Sequence, residues 1–163
     1  MENNNNISAS FIRPFLVETV EVFEVQANTK VIAGPVYIRD ADEAVSGDIS
    51  GIIGIVSDRF VGSVLISFPE QTFLKIISRI MEKEITMITR DTIDGAGELT
   101  NMIFSRAKST LNAKGMAVKS ALPNIVIGKS HNFACTSSAH RTVIPFDSDA
   151  GPFTVEIYLV EQE

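Results

Sequence analysis

Ile49-Ser50-Gly51-Ile52-Ile53-Gly54-Ile55-Val56 and Val61-Gly62-Ser63-Val64-Leu65-Ile66-Ser67-Phe68 are two runs dense in valine and isoleucine, parted only by Ser57-Asp58-Arg59. Such runs read as strands, and a break this short leaves room for a hairpin but not for a crossover helix. The pair therefore predicts an antiparallel sheet. Before it, Val31–Ile38 is another β-branched segment, interrupted at Gly34-Pro35, which suits an edge or bulged strand. Further back, residues 10–27 repeat apolar side chains at helical spacing (Phe11, Phe15, Leu16, Val22, Phe23), with Glu18, Glu21 and Glu24 on the other side. Pro14 is expected in the first turn of this helix.

After the hairpin, Pro69 opens a helix over 69–82 with Phe73, Ile76, Ile77 and Ile80 inward. A second helix runs from Asp91 to Lys114 and stops at Gly115, with Asp91 and Asp94 as its capping pair. Three more strand candidates follow: Ile125–Ile127 extending to Phe133, then Arg141–Phe146, then Phe153–Val160. The turn residues Asp147-Ser148-Asp149-Ala150-Gly151-Pro152 join the last two. The order is α-βββ-αα-βββ. Strands come in runs and do not alternate with helices, so the class is α+β: two layers, a mainly antiparallel sheet with helices packed on it. The helix-then-strands unit occurs twice, without residue-level likeness between the halves. Residues 1–9, with four consecutive asparagines, read as a disordered tail, and 10–163 as one domain.

The 163 residues are 45% hydrophobic and 21% charged, with a net charge of −6. That composition excludes a wholly disordered chain, and the acidic balance argues against nucleic acid as the partner. The single Cys135 cannot form an internal disulfide and suits the cytoplasm. No signal peptide opens the chain, and no apolar run approaches the ~20 residues of a membrane span.

The helix over 91–114 carries the unusual pattern. Ile93, Leu99, Met102, Ile103, Ala107, Thr110 and Leu111 make its predicted buried side. Asp94, Glu98, Asn101, Ser105, Lys108 and Asn112 form one polar stripe. Such a stripe is ordinarily a solvated face. Glu98 and Asn101, however, are three apart, which brings their Cβ atoms within ~5–6 Å. A carboxylate there can accept from an ammonium group. A carboxamide is neither base nor nucleophile, but it donates and accepts hydrogen bonds at once, as orienting a water for in-line attack on phosphorus requires. Gly95 and Gly97 weaken the helix by up to ~1 kcal/mol each relative to alanine. They either admit a partner's backbone or pack against the protein's own sheet.

Other clusters carry less. His131, Cys135, Ser137, Ser138 and His140 lack a third orienting residue and the paired spacings of a zinc site. Asp40, Asp42, Glu43 and Asp48 lack the calcium-loop arrangement and read as a solvated turn. Gly47, Gly51 and Gly54 lie in a strand that leads to another strand, which suits close packing and not phosphate binding.

Gly97-Glu98-Leu99-Thr100-Asn101-Met102-Ile103, followed by Ala107-Lys108, resembles the signature helix of the CheC/CheX/FliY chemotaxis phosphatases, Gly-Glu-x-x-Asn with an apolar continuation. Phe11-Ile12-Arg13-Pro14-Phe15, Gly47-Asp48-Ile49-Ser50-Gly51-Ile52-Ile53-Gly54 and Val143-Ile144-Pro145-Phe146 resemble the family's first helix, central strand and penultimate strand. The resemblance implies hydrolysis of the aspartyl phosphate on a CheY-like response regulator. Glu98 would dock the regulator's lysine, and Asn101 would position the attacking water. Asp94, Gly97, Ser105 and Lys108 would flank them as partner-binding residues. The Mg²⁺ would belong to the regulator, so the chain would need no cofactor of its own. Two-site members carry a second Glu-x-x-Asn on the first helix. Here that helix reads Glu18-Thr19-Val20-Glu21, which matches the one-site CheX branch and implies a homodimer joined through strands. The family usually has a small residue, often glycine, where this chain has Ser105 preceded by Phe104, and an outward-facing Phe104 would alter affinity. The alternative is a non-catalytic adaptor that binds a phosphorylated regulator or a motor or receptor assembly.

Overall fold

A computed structural model describes residues 9–40, 43–45, 47–129, 131 and 140–162. Its elements are α1 (Ala9–Ala27), β1 (Val31–Ala33), β2 (Tyr37–Arg39), β3 (Ile49–Val56), β4 (Phe60–Phe68), α2 (Glu70–Ile80), α3 (Arg90–Ala113), β5 (Lys119–Ser120), β6 (Asn124–Ile127), β7 (Arg141–Ser148) and β8 (Phe153–Glu161). The strands make one eight-stranded sheet in the order β1-β7-β8-β4-β3-β5, with β2 also on β7 and β6 also on β3. All pairings are antiparallel. The α+β class and the α-βββ-αα-βββ plan are therefore present, with two refinements. The Val31–Ile38 strand is split at Gly34-Pro35 into β1 and β2, and a two-residue β5 precedes β6. The predicted extension of β6 toward Phe133, the tail up to residue 8 and the Cys135, Ser137 and Ser138 positions lie outside the described residues.

The hairpin that suggested the sheet pairs Ile49 with Phe68 through to Val56 with Val61. Alternation then sends Ile49, Ile53 and Ile55 of β3, Val64, Ile66 and Phe68 of β4, and Phe153, Val155 and Ile157 of β8 to the face covered by the helices. Phe11, Phe15, Val22 and Phe23 of α1 meet them, and Phe23 stacks on Phe153 with ring centroids 4.6 Å apart. Pro14 lies past the first turn of α1, since the helix already includes Ala9, and it is buried. Asn28 takes φ +46° and Gly115 φ +81°, left-handed stops to α1 and α3.

Two expectations, one about a helix cap and one about an acidic turn, are corrected. Thr89 and Thr92, not Asp91 and Asp94, cap α3: Thr92 Oγ1 accepts the Thr89 N–H at 2.8 Å. Asp48 is not merely a solvated turn residue, because its Oδ2 accepts the N–H of Glu70 at the start of α2, 2.9 Å away.

The opposite sheet face holds a buried polar network. Glu156 of β8 is fully buried between two guanidinium groups, Arg39 Nη1 at 2.9 Å and Arg141 Nη1 at 3.0 Å. Burial pushes the Glu156 carboxyl up, against the pull of Arg141 and Arg39. Arg141 also donates to the backbone carbonyl of Glu43. Beside this network, His131 Nδ1 lies 2.7 Å from the Gly128 carbonyl and therefore carries a proton, while Nε2 meets Ser50 Oγ at 2.8 Å. Ser50 also bonds Ser67 at 2.8 Å. His131 thus ties a loop to the sheet, and His140 meets Asp40 at 3.2 Å.

Candidate functional site

The site is built on α3, and its position is fixed from beneath. Thr100 faces β3, and Gly51 is the residue there; a side chain at Gly51 would collide with the Thr100 hydroxyl and methyl. Thr100 turns its hydroxyl onto the Ala96 carbonyl, 2.8 Å away, so a polar group is buried at no loss of hydrogen bonding. Thr92, Ala96, Leu99, Ile103, Phe104, Ala107 and Leu111 complete the buried side. Ile93, Met102 and Thr110, expected there, are half-buried. Phe104 does not face outward: it is 2% exposed, and its ring sits 6.0 Å from that of Phe15. It therefore anchors the helix and does not meet a partner.

The polar stripe faces solvent. Asp94, Glu98, Asn101 and Ser105 are exposed. Neither the Glu98 side chain nor that of Asn101 makes a hydrogen bond or ion pair with the described residues, and on one helix face they lie a single turn apart. Both functional groups are thus free for a second molecule. Lys108 is half-buried, with Nζ 3.4 Å from Ser120 Oγ on β5. Asn112 is occupied, bonding the backbone of Val118 through Oδ1 (2.6 Å) and Nδ2 (3.1 Å). The two glycines point toward the protein itself. A β-carbon on Gly95 would be 3.2 Å from Ile77 of α2, and one on Gly97 would be 4.0 Å from Ile125 of β6.

On α1 the counterpart positions are spent internally. Arg106 of α3 binds Glu18 Oε2 at 2.6 Å and Glu21 Oε1 at 2.7 Å. These two bonds hold the guanidinium pKa above its ordinary value. Arg106 escaped notice in the sequence, because its nearer partner is 85 positions away along the chain and leaves no local pattern. The arrangement suits recognition and orientation by Glu98 and Asn101. Among the described residues, no group of three or more His, Cys, Asp or Glu side chains could hold a metal ion, and no helix is long and apolar enough to cross a membrane.

The family model described as Chemotaxis phosphatase CheX matches residues 49–147, which spans the β3–β4 hairpin, α2, α3 and most of β7. The chain belongs to the CheX family. A CheC-like superfamily protein from Shewanella sp. PV-4 is 33% identical, with TM-score 0.86 over 94% of this chain and 99% of its own. The chemotaxis protein CheX from Desulfovibrio desulfuricans is 30% identical, with TM-score 0.82 over 92% and 99%. CheX of Borrelia burgdorferi, solved in a CheX-CheY-BeF3-Mg complex, shares the fold at 21% identity, with TM-score 0.77 over 91% and 97%. No curated protein matches the chain in sequence.

Proposed function

We propose that this chain accelerates hydrolysis of the aspartyl phosphate on a CheY-like response regulator. One water is consumed: its oxygen bonds to phosphorus, the P–O bond to the aspartyl carboxyl breaks, inorganic phosphate leaves and the regulator's aspartate is restored as a free carboxylate. The observation that carries the reading is the pair Glu98 and Asn101, both exposed and uncommitted on a helix whose underside is packed rigidly. Glu98 accepts from the regulator's lysine ammonium and sets the helix in register. Asn101 Oδ1 accepts from the attacking water while Nδ2 donates toward a phosphoryl oxygen, so the water is held in line. A carboxamide cannot take the proton, which passes to the products. Asp94, Gly97, Ser105 and Lys108 flank this pair, and Mg²⁺ is the regulator's.

The chain acts in the cytoplasm as a homodimer, with one site on each copy. The edge strands support this. Ile32 of β1 is 74% exposed and Ile38 of β2 56%, apolar side chains on unpaired strand edges of the kind a second chain covers. Membership of the CheX family and the Borrelia CheX-CheY complex support the choice of partner.

The test is phosphate release from a phosphorylated CheY-like regulator, alone, with this protein, and with Asn101→Ala. Acceleration by the wild type and none by the variant is expected. Binding without acceleration by the wild type would replace the reading with the adaptor.

A further inference from the structure

The β5–β6 edge contains a bulge whose outermost residue turns an apolar side chain to solvent. Ile55 pairs with Ser120 and Ile52 with Asn124, so three residues, Ala121, Leu122 and Pro123, face only Ile53 and Gly54. Ala121 still donates to the Gly54 carbonyl at 3.1 Å, but Pro123 has no N–H and the ladder breaks. A bulge of this kind turns a side chain out of the sheet. Leu122 is turned out completely, being 84% exposed, the most exposed of the chain's large apolar side chains among the described residues.

Two contacts place that leucine beside the α3 stripe. Lys108 reaches Ser120 just before the bulge, and Gly97 abuts Ile125 just after it. Lys108 and Gly97 are separated by ~16 Å along a helix. Ser120 and Ile125 pair with Ile55 and Gly51, four residues of β3 apart, so the bulged edge spans a comparable ~13 Å. The strand edge therefore runs alongside the helix in the opposite direction, and Leu122 comes level with the turn from Asn101 to Ser105. Half-buried Lys108 lies beside it, a cation toward the end of the stripe opposite Asp94 and Glu98, whereas Lys119, in register with Val56, turns to the other face of the sheet.

We infer that Leu122 is a docking residue for the response regulator, seating against an apolar spot beside the regulator's anionic phosphoryl site while Lys108 faces the anionic side. The inference rests on the reading of Glu98 and Asn101 given above. It adds a contact that sets affinity without touching the reacting atoms. An apolar anchor next to a short polar stripe also fixes one orientation of the partner, which the stripe alone does not.

The test uses the full chain and a phosphorylated CheY-like regulator, with Leu122→Asp, Leu122→Met and Asn101→Ala compared with wild type. Leu122→Asp is expected to raise KM about tenfold, the loss of one buried leucine contact, with kcat unchanged and the melting temperature unmoved. Leu122→Met should stay near wild type, because it keeps the apolar volume. If Leu122→Asp keeps the wild-type KM while Asn101→Ala abolishes turnover, the docking role is overturned and the phosphatase reading stands. If Asn101→Ala turns over like wild type, that reading falls and this inference falls with it.

Discussion

Gly51 of β3 lies directly against Thr100 of α3, so close that a β-carbon at Gly51 would overlap the Thr100 hydroxyl. The sheet and the functional helix touch at this point, one residue before Asn101. Position 51 must therefore be glycine for a reason of space, not of backbone conformation. Gly51→Ala forces α3 away from β3 and is expected to cost about 1–3 kcal/mol, as over-packing does. Because the same shift moves Glu98 and Asn101, phosphatase activity should fall more than stability alone explains. Thermal unfolding and turnover of the variant, measured together, check this.

Glu156 is fully buried between Arg39 and Arg141, and Arg141 is itself 1% exposed. Glu156→Ala leaves a buried guanidinium without its carboxylate. Removing one partner of a buried pair costs about 3–5 kcal/mol, so the variant should unfold at markedly lower denaturant. The network lies on the sheet face away from α3, so folded variant should still carry Glu98 and Asn101 in place.

Arg106 joins α3 to Glu18 and Glu21 of α1. The guanidinium is solvent-accessible, so Arg106→Ala should lower the melting temperature only slightly. The difference from wild type should shrink as salt is raised, because exposed pairs are screened. A melting series in low and high salt reads this directly.

Asp149, on the turn between β7 and β8, meets Arg79 of α2 at 2.7 Å. The bond to Arg79 holds its carboxyl below the ordinary 3.8. A depressed carboxyl stabilises the fold above its unfolded value and loses that contribution as pH falls through the folded one. A carboxyl titration followed by NMR should give Asp149 a midpoint below 3.8, and Arg79→Ala should bring it back up.

Local pattern carried the fold where neighbours in sequence are neighbours in space. The β3–β4 hairpin, the Phe73-Ile76-Ile77 face of α2 and the Gly115 stop of α3 were all legible for that reason. So was the exposed stripe with Glu98 and Asn101. What depended on distant residues was not. Glu156 sits at a position that alternation assigns to solvent, and its burial is explained by Arg141 on the neighbouring strand together with Arg39, 117 residues away. Phe104 reads as flanking the stripe until Phe15 is found beside it. Thr89 caps α3 from outside the apolar period, and Thr100 is buried because Gly51 leaves room, not because it is apolar. The bulge at Leu122 shows only in the pairing register.

The central claim is that Asn101 supplies orientation and Glu98 supplies register. The most direct measurement is single-turnover loss of phosphate from the regulator as the concentration of this protein is varied. Asn101→Ala should bind normally and lower the limiting rate by about a hundredfold, or to the regulator's own rate if that is reached first. Glu98→Ala should chiefly raise the concentration needed. A limiting rate for Asn101→Ala equal to that of the wild type would contradict the account.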